Sequence, residues 1–226
     1  MQNHYTYLLI LGAALAGPFA LSFDKKVAFY KKLKYVIPAM IFPAIFYIIW
    51  DSYFTGLGVW RFNRQYILGI SSAGLPVEEI LFFFVVPYCC VFIYECIKVY
   101  FPRINDTMAA HVFFRLLAAV LLIMGAIFYD RLYTASTFIF FALFVFLYYG
   151  LKRYLPGLKL SVFLLSYAVI LVPFLLVNGL LTAIPVVIYN DAENLGLRVY
   201  TIPFEDIFYG MLLVFMNVVF FEKLRS

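Results

Sequence analysis

The sequence predicts an all-α fold: a polytopic integral membrane bundle of about seven transmembrane helices, arranged as two parallel three-helix repeats joined by a connector helix. Three observations carry that prediction. The 226 residues are 66% hydrophobic and only 13% charged, more apolar surface than a soluble globule of this length can hide. The apolar residues gather into seven runs near bilayer-crossing length. The second half of the chain repeats the polar landmarks of the first.

The apolar runs lie at about 5–23, 35–50, 76–97, 112–129, 133–150, 160–181 and 203–221, the second and fourth being the shortest. Prolines fall inside them at Pro38, Pro43, Pro87 and Pro173, where membrane helices tolerate a kink. The first run has no basic stretch before it and reads as a retained span, not a cleaved secretory signal. Two connections are long, 51–75 and 182–202. They mix aromatic, Asn and Gly residues with apolar ones, as lids or re-entrant segments lying on the bundle do.

The net charge of +5 does not indicate nucleic acid, because the basic residues form short clusters flanking apolar runs and no nucleic-acid-binding motif occurs. Thirteen of the 17 Lys and Arg residues fall in or beside the connections after odd-numbered spans and at the C-terminus, against four on the other side: Arg61, Arg64, Arg131 and Arg198. That asymmetry predicts an N-terminus outside and a C-terminus in the cytoplasm, and the expected location is the bacterial cytoplasmic membrane. Cys89, Cys90 and Cys96 share one apolar run and read as small buried side chains. His4 and His111 are isolated and read as solvated.

The repeat emerges when the chain is shifted by 127 residues without a gap. Asp51 then meets Asn178, Asn63 meets Asn190, Leu68-Gly69 meets Leu195-Gly196, and Pro76 meets Pro203. Glu78-Glu79-Ile80 meets Glu205-Asp206-Ile207, and Glu95 meets Glu222. Leu-on-Leu matches are cheap in membrane segments, but ionisable residues are scarce here and still land in register. Four spans separate equivalent points, so the units run parallel about an axis along the membrane normal. The expected division is a first unit at 1–100, a connector at 101–131 and a second unit at 132–226, together one membrane domain.

The register also brings two acidic pairs, Glu78-Glu79 and Glu205-Asp206, to one depth, where they can face each other across the axis. Each follows a proline that opens an apolar helix. A proline followed by acids suits any helix N-terminus, but doubled acids at the membrane boundary, occurring twice, point to function. Clustered carboxyls in an apolar site cannot all ionise, so the acids of a pair are expected to divide labour. Asp51, Trp60, Asn63, Asn178, Asn190, Phe82, Phe83 and Tyr209 lie around this cluster in the sequence pattern. Asn side chains can orient a carboxyl, and aromatic faces can stabilise a cation by about 0.5–2 kcal/mol each. No dinucleotide fingerprint, Walker loop, HExxH or DxxxD element occurs, so neither cofactor nor metal is predicted. The chemistry on offer is proton transfer in an apolar pocket.

These residues resemble the membrane lycopene cyclase family, found as two small subunits in some bacteria and fused in others, including fungal bifunctional carotenoid enzymes. The resemblance rests on Trp50-Asp51, Trp60-Arg61-Phe62-Asn63, Gly69 and Pro76-Val77-Glu78-Glu79 with Phe82-Phe83, and in the second unit on Asn178, Asn190 and Pro203-Phe204-Glu205-Asp206 with Tyr209. It implies a fused, redox-neutral cyclase, of the intramolecular lyase or isomerase type, that turns the linear ψ ends of lycopene into β-ionone rings. In that reading Glu78 and Glu205 are donor and opposing stabiliser or base, with Glu79 and Asp206 as partners. The partners implied are a lipid-soluble carotenoid, membrane lipid and other enzymes of the carotenoid pathway. The alternatives are a cyclase for another carotenoid, of ε-ring or C50 type, and a proton-coupled transporter, which parallel repeats with buried acids also suit.

Overall fold

A computed structural model describes residues 3–155 and 157–226. Among the described residues seven α-helices follow one another: α1 (Thr6–Leu21), α2 (Leu33–Leu57), α3 (Val77–Tyr100), α4 (Met108–Ile127), α5 (Leu132–Gly150), α6 (Leu160–Ala183) and α7 (Asp206–Arg225). Six are long and apolar enough to cross a membrane, and α1, at 16 residues, is apolar but shorter. Large apolar side chains such as Ile41, Ile45 and Ile49 on α2 and Val172 on α6 remain exposed. Only lipid solvates such a surface cheaply, and the chain is membrane-integral.

The second span differs from the sequence expectation. It is not among the shortest: α2 runs for 25 residues through Asp51 to Leu57, so the first long connection begins at Gly58. The sequence 51–57 looked like a loop because it opens on an acid. Asp51 and Phe54 are in fact buried on the inner face, and the helix stops where Gly58 takes up a left-handed φ of 75°.

The two long connections pair with each other. Strand β1 (Trp60–Phe62) and a second three-residue strand, Val187–Tyr189, form an antiparallel ladder in which Arg61 faces Ile188. Those two positions are equivalents under the 127-residue shift, so the pseudo-axis passes between them. The flanking bonds obey the same symmetry: the Asn63 N–H donates to the Val186 carbonyl at 2.9 Å and the Asn190 N–H to the Val59 carbonyl at 2.8 Å. At the opposite end of the bundle the symmetry recurs in charge. Lys98 pairs with Glu222, and its equivalent Arg225 pairs with Glu95 at 2.8 Å. Each unit thus supplies a cation to the other's buried carboxylate, while Glu95 also pairs with Lys32 of its own unit at 2.5 Å.

The connector α4 packs along α5 and also meets α6. The Ser161 N–H donates to Asp106 Oδ1 at 3.1 Å, and Thr107 caps α4 by accepting from the Ala110 N–H. Burial alone would raise the Asp106 carboxyl; the Ser161 N–H, His111 and Lys152 outweigh it and hold this group below its ordinary range. His111 is not solvated as expected. It is buried, with Nε2 at 2.7 Å from Asp106 and Nδ1 at 2.9 Å from the Tyr149 hydroxyl. A polar partner on each ring nitrogen is what lets it stay inside.

Candidate active site

Each acidic pair is presented by a tight hairpin running into a helix. In the first unit β2 (Ser71–Ser72) pairs with β3 (Leu75–Pro76), and α3 follows at once. Ala73 and Gly74 both have positive φ, 53° and 78°, the requirement of a two-residue hairpin turn that matches strand twist. In the second unit, with Val187–Tyr189 as β4, strand β5 (Arg198–Val199) pairs with β6 (Ile202–Pro203) ahead of α7. Tyr200, the equivalent of Ala73, is left-handed too at 60°.

The two acids of a pair then part company, because neighbours on a helix point about 100° apart. Glu78 turns back to its own connection and accepts the Leu68 N–H at 2.6 Å. Glu205 does the same for the Leu195 N–H at 2.7 Å and also accepts the Thr134 hydroxyl at 2.5 Å. Both are fully buried. Their contacts fasten the hairpins to the helices that carry the site. Glu78→Ala should strand the Leu68 N–H and cost about 1–3 kcal/mol, read as a lower thermal midpoint in detergent, whereas Glu78→Gln keeps an acceptor and should lose much less.

Glu79 and Asp206 face inward to one chamber between the units, lined also by Asp51, Trp60, Phe82, Phe174, Asn178 and four tyrosines. Glu79 Oε2 accepts the Tyr7 hydroxyl at 2.7 Å. Asp51 Oδ1 accepts the Tyr209 hydroxyl at 2.6 Å, and the Asp51 and Glu79 carboxyls are both buried at this chamber. Across the chamber Asp206 accepts two phenols, Tyr133 at 2.5 Å and Tyr189 at 3.1 Å. The first turns of α1 and α5 place Tyr7 and Tyr133. Their backbone N–H groups bond the carbonyls of Tyr66 and Glu193, equivalent points of the two long connections.

Of the residues singled out in the sequence, Asp51, Trp60, Glu79, Phe82, Asn178, Asp206 and Tyr209 therefore meet in the chamber. Glu78 and Glu205 stand behind it. Asn63 and Asn190 do not reach the acids through any hydrogen bond; their Oδ1 atoms accept the N–H groups of Gln65 and Ala192 and shape equivalent turns. Phe83 is buried against Tyr47 and Phe82. The phenols of Tyr7, Tyr133 and Tyr189 escaped the sequence reading, since any one among 19 tyrosines carries little information. A faint trace exists: Thr6-Tyr7 in one unit meets the swapped pair Tyr133-Thr134 in the other.

The chamber is contracted, about 40 Å³, room for a water or two. Beside it an apolar groove of about 560 Å³ opens between α1, α3 and α6. Phe82, Phe174 and Asn178 border both spaces and form the partition. A Cβ at Gly210 would overlap the Phe174 ring, so glycine at this point of α7 gives the partition ring its seat. Among the described residues no group of three His, Cys, Asp or Glu side chains could hold a metal ion.

The family model described as Lycopene cyclase matches residues 4–97 and 130–224. The chain belongs to the lycopene cyclase family. Two matched stretches in one polypeptide mean that this cyclase carries both units of the family, in keeping with the repeat seen in its hairpins, ladder and crossed ion pairs. Membership makes the chain a carotenoid cyclase of the membrane with a lipophilic carotenoid substrate. No curated protein and no solved structure gives a match to this chain.

Proposed function

We propose that the chain cyclises the ψ end groups of lycopene to β-ionone rings by proton transfer between its own carboxyls, with Asp51 and Glu79 as the donor pair and Asp206 as the base. The observation that carries this reading is the inequality of the two sides of the chamber. Asp51 and Glu79 are two carboxyls buried in one contracted chamber and do not both ionise, so the first unit holds a proton to give. The equivalent of Asp51 in the second unit is the amide Asn178, which leaves Asp206 as the lone carboxyl there. Two phenolic donors suit it to the charged form. Glu78 and Glu205, the first candidates from the sequence, become positioning residues in this scheme.

The atoms balance without an outside reagent. The shared proton adds to the terminal carbon–carbon double bond of the ψ end and leaves a tertiary cation. The neighbouring double bond attacks that cation, closing a six-membered ring and moving the charge onto a ring carbon. Asp206 removes the adjacent ring proton and the β double bond forms. The formula is unchanged, and the chamber is reset by exchange with water between turnovers: Asp206 gives up the ring proton and the Asp51–Glu79 pair regains one. No redox or metal cofactor takes part. Trp60 and Tyr209 face the developing charge, each worth about 0.5–2 kcal/mol if well placed, and exclusion of water keeps the cation from capture as an alcohol. An ε-ring would follow from loss of a different ring proton, so the position of Asp206 relative to the cation decides the product. The thirteen-to-four charge asymmetry supports a chamber toward the outer side of the membrane, which in this reading is a bacterial cytoplasmic one.

Cyclisation in vesicles made up in D₂O tests the scheme directly. Each ring should gain one deuterium, at the carbon derived from the terminal double bond, as mass spectrometry of the product reads. Rings formed without deuterium would show that the initiating proton does not come from an exchangeable group of the protein.

A further inference from the structure

Two units related by a 127-residue shift should border the chamber with two lateral grooves, one on either side. Among the described residues one is open and its twin is filled. The open groove lies between α1, α3 and α6 and carries Ala13, Pro173 and Val177 on its wall, with Phe82 at the partition. The equivalent positions on α5, α2 and α7 are Phe140, Phe46, Trp50 and Tyr209. At three of these sites a small or compact side chain is thus replaced by an aromatic ring, and at the fourth Phe82 is matched by Tyr209.

The rings pack as a wedge. Trp50 lies 4.9 Å from Phe140, 5.7 Å from Phe46 and 5.0 Å from Tyr209, and Phe46 lies 5.6 Å from Phe140, centroid to centroid. Phe46 and Phe140 are partly exposed on the outer face of the bundle and Trp50 is buried. Tyr209 completes the wedge at the chamber, with its hydroxyl on Asp51. On the open side the stretch of α1 from Thr6 to Pro18 runs about 18 Å at about 1.5 Å per residue. Among the described residues no charged side chain lines the groove, which suits a linear hydrocarbon.

We propose that the groove between α1, α3 and α6 is the port through which the polyene chain reaches the acids, and that the Phe46–Trp50–Phe140 wedge makes the chamber a dead end. This rests on the cyclase reading above. A polyene pushed into a blind chamber is measured from its tip, so its terminal double bond stops at the acids and internal double bonds do not slide past them. One terminus is treated per visit. A two-ringed product then requires the one-ringed carotenoid to leave and return the other way round.

A chase experiment with the full-length chain in lipid vesicles reads this. Isotope-labelled lycopene is supplied first, then an excess of the unlabelled one-ringed carotenoid. Labelled one-ringed product should build up free in the bilayer, and the chase should cut label in any two-ringed product at least tenfold. Labelled two-ringed product that forms undiluted by the chase overturns the one-terminus rule. Ala13→Phe, which fills the groove as Phe140 fills its twin, should slow lycopene turnover at least tenfold. Leu8→Phe, at a position of the same helix outside the groove, should leave it unchanged. Ala13→Leu gives an intermediate loss if the larger ring impairs folding, judged by the thermal midpoint. Folded Ala13→Phe and Ala13→Leu proteins working at the normal rate overturn the port. If the unsubstituted protein forms no ring, the cyclase reading itself has failed; if it forms rings and the variants match it, only the port has failed.

Discussion

Glu79→Gln is expected to leave lycopene uncyclised, with turnover reduced by roughly 10²–10⁴-fold, the usual worth of a placed general acid. The amide can still accept the Tyr7 hydroxyl, so the fold should survive, but it holds no proton to share with Asp51. Asp51→Asn should fall in the same range, since it too dissolves the pair. Pigment analysis in lycopene-accumulating cells, with initial rates in isolated membranes, measures both. Glu78→Gln is the decisive control: it sits one residue away and binds the Leu68 N–H instead of facing the chamber. If Glu78→Gln were the dead enzyme and Glu79→Gln the live one, the assignment of roles would be reversed.

Asp206→Asn should be nearly as damaging, for a different reason. Protonation and ring closure remain available, but no carboxylate waits for the ring proton. The β-ring rate should drop about 100-fold or more, and the residual product should drift toward other fates of the cation, an alcohol or a misplaced double bond. Product distribution therefore separates the two sides of the chamber where rate alone would not. Tyr133→Phe and Tyr189→Phe each remove one hydrogen bond to Asp206 and should give smaller losses, about tenfold each, with the product mixture intermediate. A clean β-ring product at undiminished rate from Asp206→Asn would remove the proposed base.

Much of this arrangement was legible in the chain. Apolar runs gave seven helices, and the 127-residue register tied the acids, the turns and the equivalence of Glu95 and Glu222 to a common axis, though not the crossed ion pairs these two make. The phase of the acids was harder. Glu78 and Glu79 differ by about 100° around one helix, and nothing in a run as uniformly apolar as α3 marks which side faces inward. The spacing held a hint, since Glu79, Phe82, Val86 and Cys90 follow helical periodicity and all four border the chamber or the groove. The β1–β4 ladder was beyond reach, because three-residue strands carry no alternation to read. Asp51 misled for a physical reason: a carboxyl within a span looks like the end of that span until its phenolic partner, 158 residues away on α7, is known.

Neither unit closes its ends alone. At one pole the strands of the two long connections satisfy each other's backbone, and at the other Lys98 and Arg225 each reach a carboxylate of the neighbouring unit, Glu95 keeping Lys32 of its own as well. In thermodynamic language the chain is a dimer whose halves are tethered, and the connector's contribution is an effective concentration. Severing the backbone between α3 and α4 would exchange that intramolecular encounter for a search in the plane of the bilayer, so the separated pieces would still meet, with an affinity set by their surface density instead of by chain length.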